Sequence, residues 1–178
     1  MAIDMHTQDR SPLVLRQASA DQRWFNGDTL RFLATAEQTG GALSLTEAIV
    51  VPEAGPLLHL HPDADELVVV LAGGIRSWHA DGEAEDLGVG DCLFVERGVL
   101  HGYVNTGDAP ARLLIQYSPA GPEQLWLHEG DPAIPGQSPK PWGADRLTTR
   151  LVLYAASVGT VIPSLMNDAT GTGEQPGV

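Results

Sequence analysis

The chain is poor in cysteine, in lysine and in positive charge. Its 178 residues include one cysteine, Cys92, and one lysine, Lys140. A single cysteine cannot close an internal disulfide, which fits a reducing compartment and a cytoplasmic address. Lysine Schiff-base chemistry would rest on one residue in the turn-like run Ser138-Pro139-Lys140-Pro141, and is set aside. Ten Lys and Arg stand against 23 Asp and Glu, a formal net charge of −13. That sign repels nucleic-acid phosphates and anionic lipid headgroups, so neither is an expected partner. No apolar run approaches the roughly 18 residues that span a bilayer. The opening MAIDMHTQDR lacks the apolar core of a secretion signal. The glycines form neither a dinucleotide-binding fingerprint nor a phosphate loop.

Hydrophobic residues make up 43% and charged residues 19%, the balance of one globular domain. From Phe32 to Tyr117 short apolar runs alternate with turn signals. Leu43–Val51, Leu57–His61, Glu66–Leu71, Ile75–His79, Asp91–Val95 and Ala111–Tyr117 are separated by runs such as Gly73-Gly74, Asp81-Gly82 and Asn105-Thr106-Gly107-Asp108. This rhythm predicts an all-β barrel or sandwich. The expected organisation is an arm over 1–22, a β-barrel over 23–120, an extension over 121–166 and a disordered tail over 167–178. Within the extension, Gly121–His128 reads as a short helix, and Gly130–Ala144, with four prolines and three glycines, as a surface meander. Asp145–Ser157 reads as a helix capped by Asp145, and Thr160–Pro163 as an edge strand.

The chemistry-bearing stretch is GPLLHLHPDADELVVVLAGG, residues 55–74. Side chains alternate along a strand, so His59 and His61 point to one face. A hairpin-like return through Pro62–Asp65 brings Glu66 beside them. A second stretch, GDCLFVERGVLHGYVN over 90–105, carries His101 after a Gly-containing turn. Three imidazoles and one carboxylate suit a divalent first-row metal ion, and would leave it about one net positive charge. In an octahedral site about two positions stay open, a pattern that favours Fe, Mn, Ni or Co, with Zn the remaining candidate.

The spacings resemble those of the cupin superfamily. His59-x-His61, then four residues, Glu66, six residues and Gly73 match its first motif. Gly90, Gly98, His101 and Asn105 fall at the spacings of its second. Glu96 stands where that motif usually has Pro, and Gly55 lies closer to the His pair than usual. The resemblance implies a double-stranded β-helix, or jelly-roll barrel, with a short C-terminal helical extension. It further implies one metal held by His59, His61, Glu66 and His101, and is strongest to single-domain members near the quercetin dioxygenase-like group. Such proteins commonly form homodimers. Leu67, Val69 and Leu71 point away from Glu66 yet are apolar, which independently calls for a second sheet or subunit over that face.

Around the metal, Val68 and Val70 share the face of Glu66 and suggest apolar walls for a small organic substrate. Tyr103 shares the face of His101 and is a candidate proton donor; Glu66 is a candidate base. Arg112 and Gln116 would orient an anionic substrate if their face of the 111–117 run points inward. The alternative is that Leu113 and Ile115 do. Asp63 and Asp65 read as solvated turn residues, and Cys92 as a buried structural thiol. The function expected first is a dioxygenase-type oxidoreductase acting on an aromatic or enolisable metabolite. Two alternatives stay open: a non-redox isomerase, cyclase or lyase acting on a carbonyl metabolite at the same metal, and a non-catalytic binding barrel.

Overall fold

The structure is a computed structural model that describes residues 11–79 and 82–170. In chain order the strands are β1 (Gln22–Phe25), β2 (Asp28–Ala34), β3 (Ser44–Val50), β4 (Asp65–Ala72), β5 (Ile75–His79), β6 (Ala84–Leu87), β7 (Cys92–Val95), β8 (His101–Val104), β9 (Ala111–Ser118) and β10 (Asp131–Pro132). The helices are α1 (Ala36–Thr39), α2 (Glu123–Glu129), α3 (Thr149–Ser157) and α4 (Pro163–Thr170). The strands form a sheet in the order β10-β1-β2-β3-β9-β4-β7 and a smaller one in the order β6-β5-β8. The expected double-stranded β-helix with a helical C-terminal extension is therefore the fold.

Alternation sorts the large sheet into two faces. Leu30 and Phe32 of β2, Ala48 and Val50 of β3, Val68 and Val70 of β4, and Leu113 and Ile115 of β9 point inward. Ile75, Leu87 and Tyr103 of the smaller sheet close the same core. A fully buried aliphatic side chain contributes on the order of 1.5–3 kcal/mol, so this interior is what holds the two sheets together. The outer face stays largely apolar: Leu71, Ile49 and Phe94 are exposed there. Leu13 and Leu15, from the arm, line a groove over it together with Leu33, Leu45 and Leu114. Beneath that groove Glu47 is buried between Arg31 of β2 and Arg112 of β9.

Several expectations are corrected. Leu57–His61 is not a strand; only His59 and Leu60 make isolated bridges, to His101 and Val161. The cap of α3 is Thr148, whose hydroxyl accepts from the Leu151 N–H at 3.2 Å, rather than Asp145, which lies in a preceding 3-10 turn. The Thr160–Pro163 run contributes one bridge and then turns into α4. Pro163 opens that helix rather than closing an edge strand, because proline's fixed φ and missing N–H suit the first turn of a helix. Consequently α4 takes in the first residues of the stretch expected to be disordered, whereas 171–178 lie outside the described residues, as do 1–10 of the arm. Cys92 is exposed, because Leu93 takes the inward position of β7.

Candidate metal centre and cavity

Four side chains converge inside the barrel. His59 is set by reciprocal backbone hydrogen bonds with His101, 2.9 Å in each direction. His61 follows at the same face, and Gly98 donates its N–H to the His61 carbonyl at 2.8 Å, joining the two motifs. Glu66 enters from β4 after a turn closed by Asp65, which takes a bidentate ion pair from Arg97. That guanidinium holds the Asp65 carboxyl down at about 2. One ligand atom from each of His59, His61, Glu66 and His101 lies within 4.8 Å of the others, and all four residues are buried.

Each imidazole is oriented by the backbone. Nδ1 of His59 donates to the Leu57 carbonyl at 2.8 Å, Nδ1 of His101 to Val99 at 2.9 Å, and Nδ1 of His61 to Gly159 at 2.8 Å. A carbonyl only accepts, so Nδ1 carries the hydrogen in all three rings and Nε2 faces the centre. His101 Nε2 lies 2.8 Å from Glu66 Oε2. His61 Nε2 lies 3.2 Å from the same oxygen, but at an angle that leaves this buried nitrogen without a hydrogen-bond partner. An orphaned inward nitrogen is costly unless a cation takes its lone pair. Donors about 2.1 Å from a zinc-sized ion are about 3.4 Å apart in a tetrahedron and up to about 4.2 Å apart in an octahedron, so atoms all within 4.8 Å of one another are near enough to share one ion. The residues fit a divalent metal.

The electrostatics agree. Burial lowers His59 to about 4, against the attraction of Glu66, so it is neutral and free to ligate near neutrality. Burial would raise Glu66, but the imidazoles of His101 and His61 hold it well below the usual carboxylate range. His101 is raised, because the Glu66 carboxylate outweighs the desolvation that would lower it.

The centre opens into a cavity of about 210 Å³ between the barrel and the C-terminal extension. Barrel residues Leu30, Ala48, Val50, Ile115 and Tyr117 line one side; Trp126, Trp142, Leu151, Ile162 and Leu165 line the other. The Gly130–Ala144 meander is pinned there. Trp142 packs on Phe25 with ring centroids 4.3 Å apart, its backbone N–H donates to Asn26 Oδ1, and Arg146 lies 4.2 Å over its ring. Among the substrate candidates, Tyr103 lines the cavity. Burial raises its phenol well above the ordinary value, with Glu66 and Asp28 adding to the shift. Val68 and Val70 share the Glu66 face but are packed in the barrel core and do not line the cavity. Arg112 and Gln116 fall on the outer face, since Leu113 and Ile115 take the inward positions of β9; the substrate role expected for that pair is not met.

Sequence reasoning missed Tyr117, whose ring stands edge-on to His61 at 4.8 Å, and Asp28. The signal for Asp28 was the Asn26-Gly27 pair, a hairpin turn that starts β2 with an acid facing inward. Gly55 is explained by close approach: a Cβ there would sit 1.9 Å from the Tyr103 carbonyl oxygen.

Comparison with known proteins agrees with the fold. The cupin domain family matches residues 46–117. The tetracenomycin polyketide synthase protein TcmJ of Streptomyces glaucescens is 28% identical over 116 residues, 65% of this chain and 77% of that protein. Protein SchB of Streptomyces halstedii is 30% identical over 118 residues, 65% of this chain and 83% of that protein. A solved sugar phosphate isomerase of the cupin superfamily from Silicibacter pomeroyi superposes with a TM-score of 0.51 at 24% identity, over 60% of this chain and 75% of that one, a likeness of fold alone. The chain belongs to the cupin superfamily as a single-barrel member. The family match ends before α2, so the extension that walls the cavity is outside it.

Proposed function

We propose that the chain is a metal-dependent enzyme that binds an enolisable aromatic metabolite of polyketide type and moves a proton on it. The observation that carries this reading is the buried His59-His61-Glu66-His101 cluster at one end of an aromatic-walled, mostly apolar cavity. The relative named as a polyketide synthase protein supports the substrate class. A divalent ion held by these four residues would supply Lewis acidity toward a substrate oxygen. The chain's own groups do the rest. Trp126, Trp142 and Leu151 exclude water and flank a flat ring system. Glu66, whose Oε2 faces two imidazoles, is placed to take a proton from the carbon or hydroxyl next to the bound oxygen. Tyr103, held protonated, is placed to return one.

In a second reading the same enolate is consumed by dioxygen, which makes the chain a dioxygenase. It is favoured by a ligand set that leaves positions open for two reactants. The metal is proposed to be Fe, Mn, Ni or Co, and the working assembly a homodimer through the apolar outer face.

Metal analysis of protein purified without oxygen tests the base of the reading. About one ion per chain is expected, lost in both His59→Ala and His101→Ala. No ion in any preparation, and no uptake on reconstitution, would overturn it. Polyphenolic and β-diketone aromatics are then offered with and without oxygen. Anaerobic product supports proton-transfer chemistry; product only with matching oxygen uptake supports the dioxygenase. Binding with no product under either condition defeats both.

A further inference from the structure

The cavity wall carries an acid outside the metal cluster. Asp28 opens β2 directly after the Asn26-Gly27 turn and lies on the cavity wall with Leu30 and Val50. It is not part of the ligand cluster. Its Oδ1 accepts from the Val51 N–H at 3.1 Å, and among the described residues Oδ2 makes no hydrogen bond. One backbone N–H only partly offsets the cost of a carboxylate on an apolar wall, and among the described residues no Arg or Lys lines this cavity. Burial pushes Asp28 up to about 7 against the effect of the Val51 N–H, so near neutrality it can both accept and donate a hydrogen bond. Tyr103, on the same wall, feels the charge of Glu66 and of Asp28.

We propose that Asp28 is the specificity anchor of the cavity, where its carboxyl group engages a substrate hydroxyl other than the oxygen that meets His59, His61, Glu66 and His101. The inference rests on the reading of this cavity as the substrate site, and it narrows the substrate to an aromatic that carries a second oxygen besides the one at the cluster. Phe25, Tyr117, Trp126 and Trp142 line the cavity among aliphatic side chains, and outside the cluster its polar lining includes Asp28, Asn26 and Thr160.

The test uses zinc-loaded full-length protein and two probes, a naphthalenediol with one hydroxyl on each ring and the matching mono-ol. Affinities are read by tryptophan fluorescence and calorimetry for wild type, Asp28→Asn and Asp28→Ala, with zinc content measured in each. Wild type is expected to prefer the diol roughly tenfold, the scale of one hydrogen bond to a charged group. Asp28→Ala should abolish that preference while leaving mono-ol affinity and zinc content unchanged, and Asp28→Asn should restore part of it. A role confined to stability would not move the ratio of the two affinities. A preference that survives in Asp28→Ala, or its absence in wild type that binds both probes, overturns the anchor and leaves the proposed function standing. Wild type that binds neither probe overturns the aromatic-cavity reading and the anchor together.

Discussion

At the scale of single residues, the informative groups are those whose surroundings conflict with their chemistry. Asp28 is an acid raised by burial from 3.8 to about 7. Folding therefore favours its protonated form. Its contribution to stability is complete below about pH 4 and is lost as pH rises through about 7. Asp28→Asn keeps the acceptor for Val51 and removes the ionisation. Thermal melts should show the variant and wild type close together at pH 4, and the variant more stable at pH 8. A gap that does not widen with pH would mean the acid is solvated. This residue was hidden in the sequence because its partners are brought by sheet pairing from distant positions: Val51 lies 23 residues away. The metal ligands were legible for the opposite reason. His59, His61 and Glu66 sit within one turn and two short extended runs, where alternation alone fixes their shared face. Only the return of His101 needed the family spacing.

At the scale of elements, the short connector between α3 and α4 has the largest effect on the site. The Gly159 carbonyl takes the Nδ1 hydrogen of His61, and Leu60 and Val161 exchange backbone hydrogen bonds at 2.9 Å. Thr160 Oγ1 lies 3.4 Å from the same His61 nitrogen. Removing such supporting contacts typically costs about 10–100-fold in metal affinity. Val161→Pro deletes the N–H that bonds to Leu60, and competition with a chelator should show a loss in that range. Unchanged affinity would mean that His61 holds its orientation without the connector. Sequence patterning placed α3 within a few residues but could not see this role. Val161 reads as an apolar edge residue whichever surface it meets, and Pro163 reads as part of the same edge strand unless its use at a helix start is weighed. Likewise the Leu57–His61 run has the alternation of a strand but pairs at single residues, because its neighbours in space are a strand end and a connector.

At the scale of the whole molecule, the outer face of the large sheet is the unfinished surface. Leu71, Ile49 and Phe94 are exposed on it beside half-buried Leu67 and Leu114. Apolar patches of this kind mark association surfaces. Light scattering behind size exclusion should give twice the chain mass for wild type and the monomer mass for Leu67→Glu. A wild-type monomer would remove the homodimer from the proposal. The net charge of −13 opposes association of two copies, so added salt should favour the dimer by screening that repulsion. No helix among the described residues is long and apolar enough to cross a membrane. The fold class was legible because turn signals punctuate every strand. Which face of β9 points inward was not: Arg112 and Gln116 alternate as cleanly as Leu113 and Ile115, and packing rather than pattern made the choice.

The hydrogen bond from His61 to Gly159 spans 98 residues of chain. During synthesis the two motifs, both complete by Asn105, emerge well before the carbonyl that orients one of their ligands. The expected consequence is that a chain cut before Gly159 competes less well with a chelator for zinc than the whole chain does.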